Sequence, residues 1–340
     1  MTVGPSYLLT TDPGIEDLAA EEIEERLPGT RTQPLPFGAR GHLRVERATL
    51  DQILALNTIH HVIEIRGEAQ AATLDDIRRA VRGAEFPELA DARSFRVSTQ
   101  QAGESGLTRR EIQGAAGAVI QGRYGTAVDL EQFEFNVRVE LCGSHVVVGL
   151  QRTDRALSKR LRRAQPLRTG IKPTIAAAML RLAGAHRGSG RLLDPMCGAG
   201  TIPVEAKRIN PALEVHASDW DAETLGIARR TVENHDLPIV LQPADARDLR
   251  GVYAEPFDYL VTDPPYGVRQ ARRTSIRVLY RNLLPSFEKV LAASGRIVLV
   301  ILKRRVFELA LEKTDLRVVH ERQFTAGQLK PWIFALSHQG

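Results

Sequence analysis

Asp194-Pro195-Met196-Cys197-Gly198-Ala199-Gly200-Thr201-Ile202 follows the short apolar run Leu192-Leu193 and leads into helical spacing through Val204, Ala206 and Lys207. A strand, a glycine turn and a helix in that order open a strand-helix-strand unit. Gly198 and Gly200 let the backbone approach a ligand, and the unpaired N–H groups of the helix start suit a carboxylate or phosphate. Position 203 is Pro where a dinucleotide fingerprint wants Gly or Ala, and the acid at 194 opposes a pyrophosphate. The loop suits a ligand carrying positive charge. S-adenosylmethionine, with its ammonium and sulfonium, is such a ligand.

From Gly170 onward strands alternate with helices, the pattern of a parallel sheet covered on both faces. Strands are read ending at Leu193, Ser218, Ala244, Thr262 and Leu302, followed by a final pair, Leu316 to Phe324 and Pro331 to Ser337. Asp194, Asp219, Asp245 and Asp263 stand at four successive strand ends. Ligands of open parallel sheets bind outside the carboxyl ends of the strands, so the four acids are expected to face one cleft. Asp219, followed by Trp220, is placed to hold ribose hydroxyls, and Asp245-Ala246 to hydrogen-bond an adenine amino group.

Thr262-Asp263-Pro264-Pro265-Tyr266-Gly267 has its own chemical logic. The exocyclic amine of a base is a poor nucleophile because its lone pair is delocalised into the ring. Acceptors aimed at its N–H groups let the nitrogen pyramidalise as it attacks a methyl carbon in line with a sulfonium leaving group. Asp263 offers a side-chain oxygen, and Pro264 a carbonyl whose direction is fixed by two stiff rings. Tyr266 offers a flat face for the base, stacking being worth roughly 1 to 3 kcal/mol per base. Alignment of donor and acceptor, which can reach about 7 to 11 kcal/mol, carries most of the acceleration, and no base with a shifted pKa is required.

Outward from these motifs, 340 residues predict more than one domain. The net charge of +5 is unevenly spread. Residues 1–150 hold 15 Lys and Arg against 22 Asp and Glu, residues 151–170 hold 7 against 1, and residues 171–340 hold 24 against 18. The first segment reads as strand, helix, strand, with Glu16, Asp17, Glu21, Glu22, Glu24 and Glu25 on a helix face expected to be solvated. With a helix from Leu50 to Leu56 and a strand from His61 to Gly67 it forms an α+β unit of the ferredoxin-like kind. A second unit has a helix near Leu74, a strand from Ser94 to Thr99, a helix from Arg109 to Tyr124, and a strand pair, Phe135 to Leu141 and Val146 to Leu150. Asn136-Val-Arg-Val-Glu-Leu alternates as a strand with one buried face does. Two cysteines, Cys142 and Cys197, suit a reducing compartment, and no export signal or membrane span is visible, so a cytoplasmic location is expected. The nine histidines show no metal spacing, and no metal is expected.

The pairing of Asp194-Pro-Met-Cys-Gly-Ala-Gly-Thr with Asp263-Pro-Pro-Tyr-Gly resembles the class I methyltransferases that modify an exocyclic amine, specifically the THUMP-domain RNA guanine-N2 methyltransferases. Tyr7-Leu-Leu-Thr-Thr-Asp-Pro-Gly-Ile-Glu-Asp-Leu resembles that family's ferredoxin-like opening, and Phe95-Arg-Val-Ser-Thr through Val148-Gly-Leu resembles a THUMP module. The resemblance spans essentially the whole chain. It implies an α/β fold: a C-terminal Rossmann-like class I methyltransferase sheet over residues 171–340, a ferredoxin-like unit at 1–67, a THUMP RNA-binding domain at 68–151 and a basic linker at 152–170. Gly170-Ile-Lys-Pro-Thr-Ile-Ala-Ala resembles the segment before the first core strand, which implies Thr169, Lys172 and Pro173 near the methionine end of the cofactor. In the family the N-terminal units engage the tRNA acceptor end and the catalytic domain flips the guanosine. Asp rather than Asn at 263 resembles the tRNA branch more than the branch acting on 23S rRNA.

The implied activity is methyl transfer from S-adenosylmethionine, leaving S-adenosylhomocysteine, to the exocyclic N2 of a guanosine in tRNA. The competing readings are guanine-N2 methylation of 23S rRNA, N6-adenine methylation of a nucleic acid, glutamine methylation of a protein, and a catalytically silent RNA-binding protein. A nucleophilic role for Cys197 is disfavoured, because an amine target needs no covalent adduct. The linker residues Arg160, Arg162 and Arg163, and Arg269, Arg272 and Arg273 in a stretch free of acids from Pro264 to Phe287, are expected to hold phosphates.

Overall fold

The chain divides into two units, Met1–Leu157 and Ser158–Gly340; the computed structural model describes residues 4–102, 106–164, 170–265 and 276–339. In the first unit, β1 (Ser6–Thr11), α1 (Glu16–Arg26), β2 (Arg31–Pro34), β3 (His42–Glu46), α2 (Leu50–Leu54) and β4 (Ile59–Gln70) follow the order βαββαβ. Their strands lie β2-β3-β1-β4 with antiparallel neighbours, the ferredoxin-like arrangement the sequence led us to expect. Ala19 and Ile23 of α1 pack on Leu43, Val45 and Val62 of the sheet. β2 is a strand the sequence does not announce: Arg31-Thr-Gln-Pro34 has no apolar alternation and is mostly exposed, pairing along the edge of β3.

On the acidic face of α1, Asp17, Glu21, Glu24 and Glu25 are exposed as expected, and two acids depart from that expectation. Glu16 and Glu22 are buried. Glu16 accepts the N–H groups of Gly14 (2.7 Å) and Gly41 (2.6 Å). Glu22 accepts those of Asn57 and Thr58, both at 2.9 Å, and the Thr58 hydroxyl at 2.6 Å. A carboxylate that satisfies otherwise orphaned loop N–H groups can be buried where a lone one could not.

α3 (Leu74–Gly83), β5 (Ser94–Ala102), α4 (Arg109–Tyr124), β6 (Ala127–Val128), β7 (Phe135–Cys142) and β8 (His145–Gln151) complete the unit. A reciprocal cap starts α4: the Thr108 hydroxyl accepts the Glu111 N–H at 3.3 Å, and the Glu111 carboxylate accepts the Thr108 N–H at 2.8 Å. β8 pairs with β4, so one eight-stranded sheet runs β2-β3-β1-β4-β8-β7-β5-β6. Gly149 permits that join, because a Cβ there would run into the Glu64 carbonyl oxygen of β4. The alternation in β7 suggested one buried face, yet both are buried. Val137 and Val139 enter the apolar core. On the other face Glu140 is held by Arg138 (2.7 Å) and His42 (3.2 Å), so pairing lets the polar side be covered too.

The second unit contains α5 (Pro173–Ala183), β9 (Arg191–Asp194), α6 (Thr201–Ile209), β10 (Glu214–Asp219), α7 (Ala222–Glu233), β11 (Ile239–Pro243), β12 (Phe257–Thr262), α8 (Ile276–Val290), β13 (Leu291–Ile301), α9 (Arg304–Leu311), β14 (Leu316–Gln323) and β15 (Trp332–His338). The core strands end within a residue of the expected positions. The sheet order is β11-β10-β9-β12-β13-β15-β14, with β15 antiparallel to both neighbours and the other pairs parallel. This is the Rossmann-like class I methyltransferase sheet. From β9 the chain steps outward to β10 and β11, then returns to β12 on the other side of β9, which makes the β9/β12 boundary the topological switch point. Phe257, Tyr280, Phe287, Phe307 and Phe334 build the core on one face. No helix among the described residues is long and apolar enough to cross a membrane.

Candidate active site

Asp194 ends β9 beside that switch point and is 1% exposed. Burial pushes its carboxyl up to about 8; the nearby Thr262 hydroxyl and the Met196 N–H, which donates to it at 3.3 Å, oppose the rise, and the nearby charges of Asp219 and Asp263 add to it. Three of the four strand-end acids thus share one electrostatic environment. At the end of β10, Asp219 is buried and its carboxyl is likewise raised, first by burial. It accepts the N–H of Gly198 at 3.2 Å and that of Asp221 at 3.1 Å, linking the glycine loop to the start of α7.

The loop takes its shape from two left-handed glycines, Gly198 at φ 54° and Gly200 at φ 83°, the latter capping α6. The Cys197 N–H donates to the Ser218 carbonyl at 2.9 Å, fastening the loop to β10. Pro195, Thr201 and Ile202 are buried, while Met196 packs on the core below. The Cys197 thiol is pushed well up by burial and by Asp194 and Asp219, which keeps it protonated and removes the basis for a nucleophile. Trp220 is 74% exposed directly after Asp219.

Asp245 follows β11, but its carboxylate is turned to Arg247, whose Nε lies 2.8 and 2.9 Å from its two oxygens. That pairing holds its carboxyl below the usual range. Ala246 beside it is buried. Asp263 directly follows β12 and is half-buried, as is Pro265, with Pro264 buried between them. Lys172 caps α5 and is exposed, with Pro173 buried at the first helical position. Thr169, Tyr266, Arg269, Arg272 and Arg273 lie outside the described residues.

In the linker, Arg162 is exposed. Arg160 instead pairs with Glu205 of α6, and Arg163 donates to the Ile171 carbonyl at 2.6 Å. Glu205 escaped the sequence reading, although an acid among buried Thr201, Ile202, Pro203, Val204 and Ala206 was a sign that it needed a cation. Tyr280 escaped too: its buried hydroxyl has no hydrogen-bond partner among the described residues and feels the charge of Asp263.

The family model described as RMKL-like, methyltransferase domain, matches residues 160–331, and the THUMP domain model matches residues 71–151. The chain is 34% identical to a tRNA (guanine(6)-N2)-methyltransferase of Thermus thermophilus, covering 96% of this chain and 98% of that one. It is 30% identical to a protein of the same description from Archaeoglobus fulgidus, covering 95% and 90%. The crystal structure of TrmN from Thermus thermophilus superimposes with a TM-score of 0.88 at 32% identity, covering 99% of this chain and 100% of that one.

Proposed function

Because the chain belongs to the RMKL-like methyltransferase family and carries a THUMP domain, we propose that it methylates the exocyclic N2 of a guanosine in tRNA with S-adenosylmethionine as donor, at position 6 as its Thermus and Archaeoglobus relatives are described to do. The observation that carries this reading is the convergence of Asp194, Asp219 and Asp263 at the switch point of a class I methyltransferase sheet. The donor set suits this cofactor: a buried acid for a cation, glycines with backbone N–H groups for a carboxylate, a second acid for ribose hydroxyls and an exposed indole for adenine. When bound, S-adenosylmethionine supplies an electrophilic methyl group on a sulfonium.

Asp194 and the turn at Gly198 and Gly200 hold the amino-acid end, with Thr169, Lys172 and Pro173 nearby, and Asp219 and Trp220 hold the nucleoside. Ala246 bounds the adenine side, and Asp245 serves it only after loosening from Arg247. Asp263, through a carboxylate oxygen, and Pro264, through its carbonyl, accept the two N2–H groups of the guanine, with Tyr266 as the stacking face. With the cofactor bound, N2 would form the new C–N bond as the methyl–sulfur bond breaks, leaving the thioether of S-adenosylhomocysteine, and the N2 proton facing Asp263 would pass to its carboxylate and from there to solvent. Alignment by these fixed groups is the main source of rate.

Residues 1–67 and 68–151 position the RNA, the linker 152–170 joins them to the catalytic domain 171–340, and Arg162, Arg269, Arg272 and Arg273 contact phosphates. Two buried free thiols, Cys142 and Cys197, accord with action in the cytoplasm. The test is methyl transfer to unmodified tRNA and rRNA transcripts with nucleoside mass analysis: N2-methylguanosine forms in tRNA with the wild-type protein and not with Asp263→Ala. Methylation of rRNA alone, or of adenosine, would replace this reading.

A further inference from the structure

Arg160 was expected to meet phosphate, yet its guanidinium is spent inside the protein. Its Nε lies 3.0 Å from Glu205 Oε1 and its Nη2 2.5 Å from Oε2, a two-point fork, and Arg208 adds a third bond to Glu205 at 3.2 Å. Glu205 is 0% exposed and the Arg160 side chain 14%. Lifting Arg160 away would leave the buried Glu205 with Arg208 alone, so Arg160 is not available to reach out to RNA.

The residues that follow are held in the same way, by the last turn of α7 and the two residues after it. The Arg162 N–H donates to His235 Nε2 at 3.0 Å, Asn234 donates to the Arg162 carbonyl at 3.2 Å, and the Ala164 N–H donates to the Thr231 hydroxyl at 3.2 Å. The segment from Arg160 to Ala164 is therefore a strap running from α6 to the C-terminal end of α7, the two helices that flank β10 in sequence and follow the glycine loop and Asp219. The crowding of cations in the linker divides by role: Arg160 and Arg163 fasten the strap, and Arg162 stays exposed.

We propose that Arg160 is a positioning residue: its fork on Glu205 fixes the start of the strap on α6, so that RNA held by the N-terminal unit is delivered to the catalytic cleft in register. The proposal rests on the reading of the chain as a tRNA methyltransferase. The fork adds no RNA affinity; it sets the rate at which bound RNA is methylated.

The test compares full-length wild type, Arg160→Ala, Glu205→Gln and the double variant, which removes both charges together and leaves neither stranded. Wild-type methylation of tRNA is measured first; its absence would overturn the functional reading and, with it, the delivery role. Given that activity, single-turnover methylation of bound tRNA falls about 10- to 100-fold in each variant. The double variant is no slower than the singles, and tRNA affinity, its salt slope and S-adenosylmethionine affinity match wild type. Hydrogen exchange adds a readout independent of activity: the Arg162 and Ala164 amides are protected in wild type and lose protection in Glu205→Gln. A salt slope lower by about one in Arg160→Ala, with Glu205→Gln silent, would make Arg160 a phosphate contact and overturn the proposal. So would unchanged turnover in all variants, a loss of cofactor affinity matching the loss of rate, or unprotected amides in wild type.

Discussion

The carboxylate of Asp219 accepts the backbone N–H of Gly198 at 3.2 Å, so the acid assigned to the ribose also shapes the loop assigned to the amino-acid end of the same cofactor. One side chain thereby serves two parts of the ligand. Asp219→Ala removes both a ribose acceptor and the brace of the loop. Hydrogen bonds to charged groups contribute about 1.5 to 3 kcal/mol, so the dissociation constant for S-adenosylmethionine rises roughly 10- to 100-fold, as titration calorimetry can measure.

Asp194 makes cofactor binding depend on pH. With its carboxyl pushed up to about 8 by burial, the folded protein keeps a proton that the unfolded chain sheds near 3.8, the ordinary value for an aspartate. The unfolded state therefore binds fewer protons between these values, and stability falls as pH rises through that window and levels off above about 8. A cationic ligand favours the ionised form, so affinity for S-adenosylmethionine strengthens between pH 6 and pH 8, with proton release on binding that vanishes above the upper value. Asp194→Asn flattens this dependence, binds more weakly, and melts at a higher temperature than wild type at alkaline pH. A wild-type affinity that is flat across the window would contradict the assignment.

Gly149→Ala separates the two functions of the chain. The added methyl group meets the Glu64 carbonyl oxygen where β8 joins β4. Overpacking of this kind costs about 1 to 3 kcal/mol, more where backbone must move. Denaturant melts show the N-terminal unit destabilised and tRNA affinity reduced, while S-adenosylmethionine binding is retained.

His235 adds a pH response at the strap. It accepts the Arg162 N–H, which requires an unprotonated Nε2, and burial together with Arg208 lowers its pKa below 6.5. A histidine kept neutral in the fold contributes stability that is present above 6.5 and is lost as pH falls through the lowered value. Protection of the Arg162 amide from hydrogen exchange, corrected for the intrinsic rate, is expected to decline on acidification, and His235→Ala to lack the protection at any pH.

What could be read from the residues alone follows a physical division. The glycine loop, the strand-end acids and the core strands announce themselves because backbone geometry and burial leave local signatures, and Asp194, Asp219 and Asp263 do come together. Charge is harder to read, because a charged residue looks the same whether water or a partner distant in sequence satisfies it. Glu16 and Glu22 appeared solvated and are buried under loop N–H groups; Arg160 appeared free and is forked on Glu205, 45 residues away; Asp245 appeared aimed at adenine and is clasped by Arg247. Nor does alternation in β4 and β8 reveal that they pair with each other and merge the strands of the first unit into one sheet.

The central claim, methyl transfer to the exocyclic amine of one tRNA guanosine, is tested most directly by a transcript carrying inosine in place of the guanosine at position 6. Inosine keeps the ring and its stacking face and lacks only the 2-amino group. Tritium transfer from S-adenosylmethionine to the unmodified transcript, absent from the inosine transcript although both bind equally, is the predicted result. Undiminished transfer to the inosine transcript would contradict it.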